Sequence, residues 1–93
     1  MNNILKLSKE KRIKLAKDPN TPIETLNVLA TDESYDVRDE VAKHPNTPLE
    51  TLEVLATDKD WIVRYWVAQN PNATEMIRRL VLMTDEELSS TFH

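Results

Sequence analysis

Arginine recurs at a fixed interval in this chain, at Arg12, Arg38 and Arg64, each 26 residues after the one before. A row of guanidinium groups at constant spacing suits two kinds of chemistry, reading phosphates or holding carboxylates. Asp32, Asp58 and Asp85 recur at nearly the same interval, and such companions favour the second, a structural ladder tying one segment to the next. Other reactive side chains are sparse. His44 stands where related segments carry Asp18 and Asn70 and reads as a variable loop residue, His93 is terminal, and neither has a partner at metal-ligand spacing. Ser8, Ser34, Ser89 and Ser90 have no base placed beside them by the sequence. The acids Asp85, Glu86 and Glu87 fall at an expected helix start, where negative charge complements the helix dipole. The chain has no cysteine and no glycine. That removes thiolate metal sites and cysteine nucleophiles, and with them every phosphate loop or nucleophile elbow that depends on glycine. No cofactor is implied and an enzyme is not expected.

These side chains are positioned by a repeat. With Ala16 set over Ala42, AKDPNTPIETLNVLATDESYDVRDEV lies over AKHPNTPLETLEVLATDKDWIVRYWV with 17 of 26 positions identical and no gap. RIKLA at Arg12 matches RDEVA at Arg38, and a third copy opens with AQNPN at Ala68 and then drifts, its TDEEL matching TDESY only after one inserted residue. The chain of 93 residues is short enough for one core, so residues 1–93 form a single repeat domain. It divides into an N-terminal half repeat (1–15), repeat 1 (16–41), repeat 2 (42–67) and a divergent C-terminal cap repeat (68–93).

Each unit reads as a pair of helices. Thr21-Pro22-Ile23-Glu24 and Thr47-Pro48-Leu49-Glu50 have the form of capping boxes, with proline at the first helical position. The helix behind each box places Ile23, Leu26, Leu29 and Ala30, or Leu49, Leu52, Leu55 and Ala56, on one face. A second helix follows Thr31-Asp32, faces Val37, Val41 and Ala42 inward, and ends ahead of proline. One such hairpin cannot bury its own apolar face, whereas stacked neighbours share a continuous core. The expected fold is all-α, a short solenoid of about three helical hairpins.

The two full copies act as controls for each other at one place. YDVRDE, residues 35–40, becomes WIVRYW, residues 61–66. Asp36, Asp39 and Glu40 give way to Ile62, Tyr65 and Trp66, a stripe at i, i+3 and i+4. The charges of the first copy imply that the stripe faces water there. In the second copy it is covered by the C-terminal segment (Met76, Ile77, Leu80, Val81 and Leu88), or it is an exposed aromatic patch for a protein partner, or it serves self-association. Trp61 replaces Tyr35, an aromatic for an aromatic.

The recurring Ala-Lys-Asp/His-Pro-Asn-Thr-Pro, the Leu-x-x-Leu-Ala of the following helix and the Val-Arg-x-x-Val-Ala return resemble the leucine-rich repeat variant, a right-handed superhelical relative of HEAT-type arrays. The resemblance covers Arg12 to about Asn72. It implies a right-handed α-solenoid, a 3₁₀ helix in one of the two layers, and a binding scaffold without a shared reaction. The iron–sulfur module of the founding type needs cysteines that this chain lacks. The function expected is therefore a non-enzymatic protein–protein interaction module, a small adaptor or inhibitor, binding through Trp61, Ile62, Tyr65 and Trp66.

Two rivals come from the charge distribution, which is +5 over residues 1–17 and −9 over the remainder. A basic N-terminal helix could meet nucleic acid, although the acidic remainder and the lack of aromatics among the lysines make this unlikely to be the partner. The opposed ends could also join copies into a homo-oligomer, a homodimer being the simplest. No apolar run approaches the length of a membrane span, so a soluble, cytoplasmic protein is expected.

Overall fold

The computed structural model describes residues 3–90; His93 lies outside them. A short 3₁₀ turn at Ile4–Lys6 precedes six α-helices: α1 (Lys9–Lys17), α2 (Ile23–Leu29), α3 (Tyr35–Lys43), α4 (Leu49–Leu55), α5 (Trp61–Gln69) and α6 (Glu75–Ser90). Helices α1, α3 and α5 lie side by side as one row, and α2, α4 and α6 form a second, looser row whose last member packs chiefly on α5. The array measures 39 × 26 × 19 Å and is a short helical repeat solenoid. No strand occurs among the described residues.

The core is the seam between the rows, where Ala16, Leu29, Val37, Val41, Ala42, Leu52, Leu55, Val63 and Val67 are fully enclosed. These are the same few positions of each unit, repeated, and each unit's apolar face is closed by its neighbours. Ile23 and Leu49 depart from the expected core face: both are about half exposed. They are the first residues of α2 and α4, and the interior at that level is filled by Thr21 and Thr47, both buried.

Those threonines do not form capping boxes. Thr47 Oγ1 donates to the carbonyl of Val41 at 2.7 Å and Thr21 Oγ1 to that of Leu15 at 2.5 Å, while α2 and α4 begin without a side-chain cap. The hydroxyl thus adds a second donor to a carbonyl at the end of the preceding helix, which already accepts from the Asp18 or His44 amide, and clamps the Pro-Asn turn from inside. In the third unit Ala73 takes the threonine's place, and Thr74, replacing proline, caps α6 by accepting from the Ile77 amide at 3.2 Å.

Both rows are α-helical, which corrects the expectation of a 3₁₀ layer. The short helices still carry a trace of it. The Pro22 carbonyl accepts from both Thr25 and Leu26, and the last turn closes through Thr31 N–H to Val28, so three-residue spacing appears at both ends around an α-helical centre. No described residue takes a positive φ. The turns instead place Asp18, His44 and Asn70 in extended conformations ahead of proline, which is how a chain without glycine makes them.

The third unit ends differently. After Asp32 and Asp58 the chain turns, and each carboxylate accepts the amide two residues on, Ser34 or Asp60, at 2.9 Å. Ser34 and Asp60 then precede α3 and α5. At the matching place after Asp85 stands Glu87, a helix former rather than a cap residue, and α6 runs straight through. The row of α1, α3 and α5 consequently stops at α5.

Candidate functional site

The arginines and aspartates meet across units. Arg12 Nε donates to Asp32 Oδ2 at 2.7 Å and Arg38 Nε to Asp58 Oδ2 at 2.8 Å. In both pairs Nη2 also reaches the other carboxylate oxygen, at 3.4 and 3.2 Å, giving the forked geometry of a bidentate contact. Arg64 Nε donates to Asp85 Oδ1 at 2.5 Å. Nη1 points the other way in each case: Arg38 to the carbonyl of Asp32 at 2.6 Å, Arg64 to that of Asp58 at 2.5 Å, and Arg12 to that of Leu7. Each arginine therefore holds the carbonyl at the end of its own turn and the carboxylate of the next. Arg38 binds Asp60 as well, at 2.6 Å. The first two pairs are enclosed, but Asp85 is 46% exposed, since the straight α6 leaves that end open. Occupied in this way, the guanidinium groups have no face left for phosphate.

A second set of bonds runs along the Pro-Asn turns and involves a residue that the sequence suggested was a variable loop position. His44 is 3% exposed. Its Nδ1 accepts from the Asn46 amide at 3.0 Å, and its Nε2 lies 2.8 Å from the Asp18 carbonyl one unit upstream. These contacts use Nδ1 as an acceptor and Nε2 as a donor. Asn70 does the same work: Oδ1 accepts from the Asn72 amide, while Nδ2 donates to the carbonyls of Ala42 and His44 at 2.7 and 3.0 Å. Asp18 needs only the acceptor half, which it provides to Asn20. Asn46 and Asn72 add bonds to Pro19 and Pro45. The sequence signal was the donor inventory: a side chain that both accepts and donates stands in the two units with an upstream neighbour.

The aromatic stripe is divided by the packing of the row. Lys9, at the first position of α1, reaches forward to Asp36 of α3 at 2.9 Å, and the attraction raises its pKa. Lys43 of α3 lies 4.5 Å from the ring centre of Trp66 on α5. Trp66 and Ile62 thus belong to the flank of α5 turned back toward α3, and both are half-buried. Tyr65 meets Trp66 edge to face at 5.0 Å. Trp61 occupies the Lys9 position, the one that points forward, and Tyr65 follows one turn later. Among the described residues no further helix of that row receives them, and they are 66% and 48% exposed. Ala68, matching the enclosed Ala16 and Ala42, is also partly open. The C-terminal segment buries Ile77 and Val81 but leaves Trp61 and Tyr65 uncovered.

In the first copy the stripe does not simply face water. Asp36 and Glu40 are half-buried, and Asp39 is 9% exposed with Oδ1 lacking a hydrogen-bond partner. Asp39 lies one turn before Lys43, on the flank that α5 covers. Burial pushes its pKa up to about 6, with the negative charges of Glu40 and Asp36 adding to the effect and Lys43 and Arg38 opposing it.

Lys6 of the 3₁₀ turn and Lys11, Lys14 and Lys17 of α1 are exposed. The clefts beside Arg12 and beside His44 are shallow, and among the described residues no group of three or more His, Cys, Asp or Glu side chains converges on a metal position. Among the same residues no helix is long and apolar enough to cross a membrane.

The family model described as leucine rich repeat variant matches residues 35–60. The matched span opens at the first residue of α3 and closes just before α5, one whole unit with its helices uncut. Residues 35–60 are thus similar to one repeat of that family, a non-catalytic repeat module of the kind that suggests protein interaction. No curated protein and no solved structure matches the chain.

Proposed function

We propose that the chain is a non-enzymatic protein-binding module, a small adaptor or inhibitor, whose contact edge is the forward flank of α5. Trp61 and Tyr65 are its anchors, with Ile62 and Trp66 holding them from behind. The observation that supports this is the exposure of two large aromatics where the row of α1, α3 and α5 stops. Such side chains have few rotatable bonds and dominate contact energetics when enclosed by a partner. A helix lying where a next α-helix of the row would lie fits this edge best, because α1, α3 and α5 already pack against one another in that way.

The test is affinity capture from native lysate with the wild type and with Trp61→Ala/Tyr65→Ala. A partner held by the wild type and lost from a folded double variant supports the edge, whereas equal recovery from both refutes it. Thermal unfolding of the variant provides the control for folding, since both side chains are mostly exposed and their truncation costs little stability.

A further inference from the structure

The outward face of α6 carries a sequence of side chains that neither ladder uses. Ile77 and Val81 are buried against the core, so the opposite stripe faces solvent: Glu75, Arg79, Leu82, Met83 and Glu86, at i, i+4, i+7, i+8 and i+11. Leu82 and Met83 are 66% and 64% exposed, two large apolar groups side by side that none of the described residues covers. Arg79 stands as far before this pair as Glu86 stands after it. The stripe is therefore complementary to its own reverse. With a second copy related by a two-fold axis between Leu82 and Met83, the helices run antiparallel, Leu82 meets the partner subunit's Met83, and Arg79 meets the partner subunit's Glu86, twice over. A parallel pairing sets like charges together and is disfavoured. Within one chain Arg79 has only a loose contact with Glu75, 3.8 Å between two largely exposed side chains, and among the described residues Glu86 makes no ion pair.

We propose that the chain forms a two-fold homodimer through the outer face of α6, centred on Leu82 and Met83 and framed by reciprocal Arg79–Glu86 pairs. A two-fold contact uses one patch twice and closes on itself. A single helix of 16 residues covers less than a standard interface, so the dimer is weak, with a Kd on the order of 10–100 μM. This contact is separate from the edge of α5, and one can fail without the other.

Sedimentation velocity over about 5 μM to about 1 mM spans such an affinity. The wild type is expected to move from monomer toward twice the monomer mass. Arg79→Glu, which sets two acids opposite each other, weakens association about tenfold or more, and Arg79→Glu/Glu86→Arg returns it to within about threefold of the wild type. Trp61→Ala/Tyr65→Ala leaves it unchanged. Thermal unfolding confirms that each variant is folded, as its changed side chains are exposed. A monomer throughout the range, a dimer indifferent to Arg79→Glu, a charge swap that does not restore pairing, or loss of the dimer in the α5 variant overturns the proposal.

Discussion

Replacing Asp39 by Asn should make this protein more stable at neutral pH, and the gain should vanish in acid. Asp39 is enclosed on the flank of α3 that α5 covers, with one carboxylate oxygen unpartnered. Its pKa is about 6 in the folded chain against an ordinary value of 3.8. A carboxyl whose folded pKa is raised binds its proton more tightly in the folded state. Stability from this group is thus fully present below about pH 4, falls as pH rises through about 6, and is absent above. A difference of two units corresponds to about 3 kcal/mol. Lys43, one turn away, and relaxation of the partly open edge reduce this, which leaves about 1–2 kcal/mol at pH 7.5. Asn keeps the shape and removes the charge, so Asp39→Asn gains about 1–2 kcal/mol, or several degrees in Tm for a chain of this size. Urea denaturation followed by far-UV circular dichroism, repeated between pH 4 and pH 8, measures the difference between the two proteins. It should be flat above about pH 7 and approach zero near pH 4. An equal difference at every pH, or a variant less stable at pH 7.5, refutes the reasoning.

The arginine ladder predicts a rank order. Asp58→Ala removes the bidentate partner of the buried Arg38 guanidinium, to which Asp60 stays bound, and costs about 2–3 kcal/mol, while Asp85→Ala, at the exposed rung, costs about 1 kcal/mol, as read by urea denaturation. At position 44 chemistry outweighs similarity of charge. His44→Asn keeps an acceptor and a donor and changes stability by less than about 0.5 kcal/mol, whereas His44→Asp has no donor for the Asp18 carbonyl and costs about 1–3 kcal/mol in the same assay.

The arginine–aspartate pairing was legible because both partners repeat, and a period shared by opposite charges leaves few arrangements. The paired helices were legible because leucine and valine spacing is helical in both copies. Other features were not. Thr21 and Thr47 carry the letters of a capping box, but a hydroxyl can bond forward or backward, and the Leu15 and Val41 carbonyls come within its reach only once the turn is built. Exchange of Asp36, Asp39 and Glu40 for Ile62, Tyr65 and Trp66 marked the right helix. It could not separate the flank facing the previous unit from the flank facing the next, because that depends on the direction in which units stack. The role of His44 is hidden in the sequence because its variation resembles freedom; Asp, His and Asn differ in charge, yet all can accept the amide two residues on.

The arginine ladder has a direction, since each guanidinium holds its own unit with one nitrogen and the following unit with others. That gives the array a grammar for growth and loss. A whole unit copied between α2 and α5 brings one arginine and one aspartate, and every rung remains complete at any length. A break that removes the C-terminal unit leaves an enclosed cation facing solvent or apolar side chains, and the new last unit inherits the damage. Arrays of this type can therefore lengthen internally by duplication far more readily than they can be shortened from the C-terminal end.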